Sequence, residues 1–365
     1  MSTVSRTART RHGEVPQGSW QALSAAGYTH RVNSTRRSDV NMIDLFAGPG
    51  GLDVAARDLN FEVTGIEWDD DAVATRHAAG LKTVHDDVRA YQPESFTEAD
   101  VLAGGPPCQT FTVAGGGTGR RELARVLELV DLMAKGRGFR RKLEALEDER
   151  TAMVLEPLRW ILEASRAGSP YRTIVLEQVP AVMPVWNRMV DALRMLEYDA
   201  VAGVLKAEQF GVPQTRRRAF LIARRDGFAR LPEPTHRAYH RGVARAQGDP
   251  GLLEWVAMQD VIDRRGPFVI RSNYGTGGDP KARGMRRSDE PAATVTGKIR
   301  RNRVQRPDGT ELERLEFGEA GALQTFPADF PWSGKDVAQQ IGNAVPPLLA
   351  KHVLAAAFDL PVPKP

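Results

Sequence analysis

The 365-residue sequence contains a single cysteine, Cys108. An intramolecular disulfide is therefore impossible, a disulfide-stapled secreted scaffold is excluded, and no cysteine-rich zinc site can form. One thiol in a chain of this length fits a reducing compartment. Long apolar runs are missing as well. No segment approaches the ~18 consecutive apolar residues of a membrane span, which excludes an integral helical membrane protein. The first residues, Met1 to Pro16, lack the apolar core of a secretory signal and carry Arg6, Arg9 and Arg11. Residues 1–40 are expected to form a polar, solvated tail.

Other features are plentiful. Hydrophobic residues make up 41% and charged residues 26% of the chain, enough for a packed core under a soluble surface. At roughly 100–200 residues per domain, the length allows two or three domains. The net charge is +4, unevenly spread: Arg224 to Asp308 holds 18 Lys+Arg against 10 Asp+Glu, a net +8, so the remainder is mildly acidic. A basic block on an acidic body points to one phosphate-facing surface.

From Val40 onward, strand-like and helix-like segments alternate. Val40–Phe46 reads as a buried strand, Leu52–Leu59 as a helix, Glu62–Ile66 as a strand, Ala72–Ala79 as a helix and Val101–Ala103 as a short strand. A charged helical stretch from Arg120 to Arg150 follows, then helix Met153–Ala164, strand Thr173–Leu176 and helix Met183–Leu196. This alternation predicts an α/β fold with a doubly wound, Rossmann-like sheet. Beyond residue 226, prolines and glycines break the pattern, predicting a small loop-rich region over 226–316. Regular structure resumes at Phe317–Leu323 and in a last helix, Pro347–Phe358.

Two loops carry chemistry. A strand running into Phe46-Ala47-Gly48-Pro49-Gly50-Gly51 and then a helix resembles a nucleotide-binding turn, where glycine lets backbone approach a ligand. Glu67 stands 19 residues beyond Gly48, where an acidic residue can hold ribose hydroxyls. A dinucleotide pattern would place glycine at 53; Asp53 is there instead, which argues against NAD and for another adenosine cofactor. Asp87 follows the third strand and could accept from an adenine amino group. The second loop is Gly104-Gly105-Pro106-Pro107-Cys108-Gln109, in which two prolines fix an extended backbone beyond a strand end. Most cysteines are buried and inert. A rigid lead of this kind is what a positioned nucleophile needs.

In order along the chain, these segments and four others resemble the DNA (cytosine-5) methyltransferase family. The others are Leu176-Glu177-Gln178-Val179-Pro180, Gln209 to Arg218, Leu323-Gln324-Thr325-Phe326-Pro327 and Gln340 to Pro347. The resemblance runs from about 41 to 358. It implies an S-adenosylmethionine-dependent enzyme that flips a cytosine out of duplex DNA, adds Cys108 to C6 and methylates C5. Glu177 would engage N3, and Arg216 and Arg218 would orient base and loop, both facing one side of a strand. Phe46, Gly48, Gly50, Glu67, Trp68, Asp87 and Pro106 would contact the cofactor, and Asn343, opening the last helix, would close its pocket. No metal is implied; His236 and His240, four apart, lack a third ligand.

The resemblance further implies a catalytic domain over 41–225 that resumes over 317–358, and a target-recognition region over 226–316. Arg283, Arg286, Arg287, Arg300, Arg301 and Arg303 are the candidate DNA contacts there, with Trp255–Ile262 counted as padding of the catalytic domain. Double-stranded DNA is the implied partner, a restriction endonuclease of the same site an admissible one, and a monomer in the cytoplasm, at the nucleoid, the default. Gln178 departs from the family's asparagine, and the basic stretch 113–147, longer than usual, is expected to touch DNA. A transfer-RNA methyltransferase and a silent DNA-binding homologue are the competing expectations. The usual Cys-Phe-Thr signature of the former is impossible with one cysteine, and the intact Cys108, Glu177 and paired arginines speak against the latter.

Overall fold

The apolar segments at the centre of the chain lack alternation because both of their faces are covered. In a computed structural model that describes residues 40–107, 111, 121–137, 140–272 and 284–363, strands β1 (Asn41–Leu45), β4 (Val101–Gly104) and β5 (Thr173–Gln178) are almost wholly buried. The expected tail and Cys108 lie outside the described residues. Around these strands, β2 (Glu62–Glu67), β3 (Thr83–His85), β6 (Asp199–Lys206) and β8 (Arg217–Arg224) complete a seven-stranded sheet of order β3-β2-β1-β4-β5-β8-β6. The first five are mutually parallel, and β8 runs antiparallel to both β5 and β6. The alternation of strand and helix predicted the parallel part; the β8–β6 hairpin end was only partly visible in the sequence.

Side chains of β1 point alternately into two cores. Ile43 and Leu45 join the face covered by α3 (Leu123–Ala134), α6 (Glu156–Arg166) and α7 (Met183–Arg194); Met42 joins the face covered by α1 (Gly51–Asp58) and α10 (Pro347–Ala357). Two short helices, α4 (Arg140–Glu144) and α5 (Glu149–Ala152), lie between α3 and α6. The stretch read as a charged excursion thus belongs partly to the core: Val126, Leu129, Val130 and Met133 of α3 are buried at helical spacing. Helix α2 (Asp70–Ala78) is capped by Asp69, whose carboxylate accepts from the Ala72 amide at 2.9 Å, with acids in its first turn and bases in its last.

A second core lies beyond the large sheet. Strands β9 (Val269–Arg271), β10 (Met285–Arg287), β12 (Arg303–Gln305) and β13 (Glu311–Leu312) form a small antiparallel sheet of order β10-β9-β12-β13. Its core includes Met258, Ile262, Phe268, Ile270 and Val304, together with Leu323, Val337 and Ile341 from the returning segment that holds α8 (Phe317–Ala322) and α9 (Val337–Asn343). Met258 and Ile262, expected to pad the catalytic domain, thus pack both with the small sheet and with the returning segment. A two-residue parallel ladder, β7 (Gln214–Thr215) with β11 (Ala292–Ala293), ties the two regions together. No described helix is long and apolar enough to cross a membrane.

Candidate active site

The chain leaves β1 toward β2 on one side of the sheet, and leaves β4 toward β5 on the other. Their carboxyl ends therefore diverge and open a crevice, the usual ligand position in such sheets. The turn after β1 is held in unusual backbone geometry: φ is +60° at Phe46, +54° at Gly48 and +102° at Gly50. A left-handed phenylalanine costs on the order of 1–3 kcal/mol and tends to mark functional turns. At Gly51, the start of α1, a Cβ would run into the carbonyl oxygen of Val345. Glycine there lets the returning segment close against the turn.

Glu67 ties the second strand to this turn. Its carboxylate accepts from the Gly48 amide at 2.7 Å and from the Trp68 and Asp69 amides at 2.9 Å each. Burial raises its pKa, and these amides oppose the rise. Asp53, which breaks the dinucleotide pattern, has a partner instead: it binds the buried Arg76 guanidinium at 2.6 and 2.9 Å. Arg76 also donates to Thr83 Oγ1 at 2.9 Å and reaches the Gly48 carbonyl at 3.4 Å. Asp44, buried on the crevice wall, is held well above the ordinary carboxylate range by burial and then by the Asp53 charge. Neither Asp44 nor Arg76 was singled out from the sequence.

The crevice holds two adjoining cavities, of about 260 and 340 Å3, which share Phe46, Glu67, Trp68, Asp69 and Pro107. Gly48 and Pro106 line the first; Gly50 sits behind it, as the N-cap of α1. The second is walled by Phe46, Ile66 and the 67%-exposed Trp68 on one side and Met153 on the other, with Asp87 at its edge. Asn343 lines the first cavity, but it ends α9 and does not open the last helix; its Oδ1 accepts from Gln339 Nε2 at 2.7 Å. The last helix starts at Pro347, where proline's missing N–H costs nothing.

Glu177 and Gln178 end β5 beside the loop leading to Cys108. Arg218 Nε donates to Glu177 Oε1 at 2.8 Å, and both side chains are nearly buried. Burial raises the Glu177 pKa, with Arg218 and then Arg216 opposing it. A Cβ on Gly105 would lie 3.4 Å from Glu177 Oε2, so the loop passes directly over the carboxylate. Gln178 Nε2 donates to the Pro106 carbonyl at 2.7 Å, while its Oε1 accepts from the Val179 amide at 2.5 Å. The longer amide thus grips the lead of the loop.

The paired arginines part company. Residue 216 falls in the break between β7 and β8, so the alternation expected of one strand does not apply. Arg216 is fully buried and donates to the carbonyls of Val295, Gly342 and Ala344 at 2.8–3.0 Å. It holds the crevice wall; Arg218 alone of the pair bonds to the Glu177 carboxylate. Two glutamines extend this buried seam. Gln214 Nε2 donates to Gln324 Oε1 at 2.6 Å and its Oε1 accepts from the Val295 amide at 3.0 Å, and Gln324 Nε2 donates to the Ile341 carbonyl at 2.6 Å. Both lie within segments that carry the family resemblance, and only their burial reveals this part.

Of the candidate DNA contacts, Arg283 lies outside the described residues. Arg287 pairs with Asp289 and Arg303 with Glu311, Arg286 lies over the Tyr239 ring at 5.0 Å and Arg300 over the Phe317 ring at 4.9 Å, and Arg301 is exposed. Of the basic stretch, Lys142 pairs with Glu128. Among the described residues no group of three or more His, Cys, Asp or Glu could hold a metal ion; His236 is buried and His240 is not.

A family model described as C-5 cytosine-specific DNA methylase matches residues 40–129, 141–244 and 253–359. Type II methyltransferase M1.HphI of Haemophilus parahaemolyticus is 28% identical over 87% of this chain and 86% of its own length. Type II methyltransferase M.AplI of Arthrospira platensis is 27% identical over 91% and 90%. Among solved structures, the Entamoeba histolytica methyltransferase EhMeth aligns over 88% of this chain and 98% of its own at 14% identity and a TM-score of 0.59. The S. pombe Dnmt2 methyltransferase aligns over the same shares at 14% and 0.56. These two likenesses speak for the fold.

Proposed function

This chain belongs to the C-5 cytosine-specific DNA methylase family and is a DNA cytosine-5 methyltransferase; on that premise we propose that Cys108 is its nucleophile and Glu177 the group that engages the target base. The cytosine must leave the duplex to be reached, at a cost of a few kcal/mol. The Cys108 thiolate adds to C6 as N3 takes a proton, which makes C5 nucleophilic enough to take the methyl group that bound S-adenosylmethionine would supply; with C5 methylated, loss of its proton to a base and expulsion of the thiolate would restore the aromatic ring. Glu177, whose pKa burial raises against the opposing Arg218 and Arg216 charges, donates to N3 as the thiolate adds. Arg218 orients that carboxyl group. Arg216 acts at one remove, by fixing the Gly342–Ala344 backbone.

The crevice fits S-adenosylmethionine, which supplies an electrophilic methyl group when bound. Phe46 and Trp68 offer faces to the adenine, Glu67 an acceptor near the ribose and Asp87 an acceptor for the exocyclic amino group. Gly48, Gly50, Pro106 and Asn343 shape the methionine end. Residues 41–225 with 317–358 act as the catalytic part and 226–316 as the target reader, whose arginines, Arg301 foremost, meet phosphates. The chain works as a monomer on duplex DNA in the cytoplasm, and protects it from a restriction endonuclease of the same site.

The observation that carries this reading is the Glu177–Arg218 pair lying directly under the Gly105–Pro107 lead to Cys108. Transfer of tritiated methyl from S-adenosylmethionine to mixed-sequence duplex DNA tests it. Label is expected in DNA and not in RNA, and is expected to vanish in Cys108→Ala. Label in RNA alone would overturn the substrate, and full activity of Cys108→Ala the mechanism.

A further inference from the structure

In the lining of the second cavity one guanidinium stands between two carboxylates. Arg89 Nε lies 3.0 Å from both oxygens of Asp87, its Nη2 lies 2.6 Å from Oδ2, and the Arg89 amide donates to Oδ1 at 2.8 Å. Its remaining arm, Nη1, bonds to Glu149 Oε1. A carboxylate offers about four lone-pair directions. Arg89 supplies three N–H groups to the two oxygens of Asp87, its Nε shared between them, and so covers most of that capacity on the acceptor assigned above to the exocyclic amino group of adenine. An amino donor entering here competes with Arg89 for these oxygens.

The backbones on either side are tied down, so the adjustment falls to side chains. Arg159, on α6, donates to the carbonyls of Val88 and Tyr91 at 3.2 and 3.1 Å and fixes the turn that carries Asp87 and Arg89. Asp148 caps α5 through the Arg150 amide at 2.9 Å, and the chain continues into the buried turn Met153–Leu155. The Glu149 side chain, by comparison, is 70% exposed and bonds to Arg89.

We propose that Arg89 and Glu149 form an exchangeable guard on the adenine end of the crevice: Arg89 occupies Asp87 in the free enzyme and shifts onto Glu149 when Asp87 takes the adenine amino group. Glu149 is thus a positioning residue for cofactor affinity. It gives the displaced guanidinium a partner, so that ligand entry does not strand a positive charge. This rests on the cofactor reading above.

Calorimetric titration with S-adenosylhomocysteine and S-inosylhomocysteine tests it, since the inosine base lacks the exocyclic amino donor. Glu149→Gln is expected to weaken the adenosyl ligand about two- to fivefold, the range of a solvent-exposed pair, and to leave the inosyl ligand unchanged. In an Arg89→Gln background, Glu149→Gln is expected to have no further effect. Equal weakening of both ligands, no weakening of either, or a persisting effect in the Arg89→Gln background would overturn the guard while leaving the cofactor site in place. Failure of the unaltered protein to bind either ligand would overturn the cofactor reading and the guard together.

Discussion

The two ends of the crevice solve the same electrostatic problem in opposite ways. At the inner end, Arg76 and Asp53 are sealed in the core beside Asp44, and Arg76 spends its other N–H groups on Thr83 and backbone carbonyls. At the outer end, Arg89, Asp87 and Glu149 meet at the surface. The buried pair is locked, because losing either partner leaves a charge where water cannot reach it. The surface trio can exchange partners, since solvent screens each one and replaces lost bonds. A crevice that must keep its shape at one end and admit a ligand at the other is served by this division.

The sharpest way to break the comparison is to remove both arginines in turn. Arg76→Met is expected to cost about 3–5 kcal/mol of stability in urea denaturation, whereas Arg89→Met costs less than about 1 kcal/mol. Equal costs would mean the two ends do not differ in kind.

A second buried group sharpens the contrast through pH. His352 of α10 packs against the Phe210 ring at 5.2 Å, and burial, then His236 and Lys351, lowers its pKa to about 4. The folded state holds this ring neutral, so the unfolded chain binds more protons between pH 6.5 and 4. The stabilisation is complete above pH 6.5 and is lost as the pH falls toward 4, by up to about 3 kcal/mol. The slope of stability against pH in that window should flatten in His352→Phe.

Smaller effects are expected along the seam that joins the small-sheet region to the crevice wall. Gln324→Leu removes the partner of the Ile341 carbonyl and one of the two acceptors of the Gln214 amide, which keeps the Leu323 carbonyl. About 1–3 kcal/mol of stability should go with it, with a rise in the Michaelis constant for S-adenosylmethionine because Ile341–Ala344 loosens. The least effect belongs to Gln178→Asn. The shorter amide loses its reach to the Pro106 carbonyl, and about 1 kcal/mol should be lost, read as a several-fold fall in the methyl-transfer rate. A rate unchanged by that substitution would mean that the loop is held by its prolines alone.

Local signals were legible in the sequence and long-range pairings were not. The turn at 46–51, the strand before it and the Gly-Gly-Pro-Pro lead announce themselves by glycine and proline placement, and the structure sets them at one crevice. Asp53 could be read only as a missing glycine, because its partner Arg76 lies 23 residues away on another helix. Arg216 looked like one of a strand pair because nothing local marks the break between β7 and β8. Asn343 was assigned to the wrong helix, since Gly342 and Pro346 punctuate the sequence on both sides of it. The surface arginines were read as a phosphate-facing run, yet Arg303 spends its charge on Glu311, across a turn. The buried face of α3 was legible: Val126, Leu129, Val130 and Met133 carry the helical period, but the surrounding arginines and glutamates drew the reading outward.

The packing of α10 on α1 has a consequence for biosynthesis. Leu52, Ala55 and Ala56 find their cover in Leu349, Ala350 and Val353, almost 300 residues later. On the ribosome, the sheet can assemble strand by strand while one of its faces stays bare. That face is sticky for as long as translation continues past it, which makes the growing chain a client for chaperones that shield apolar surface. The cofactor crevice cannot close until Val345 has emerged and docked at Gly51, so a half-made chain has no competent site with which to modify DNA.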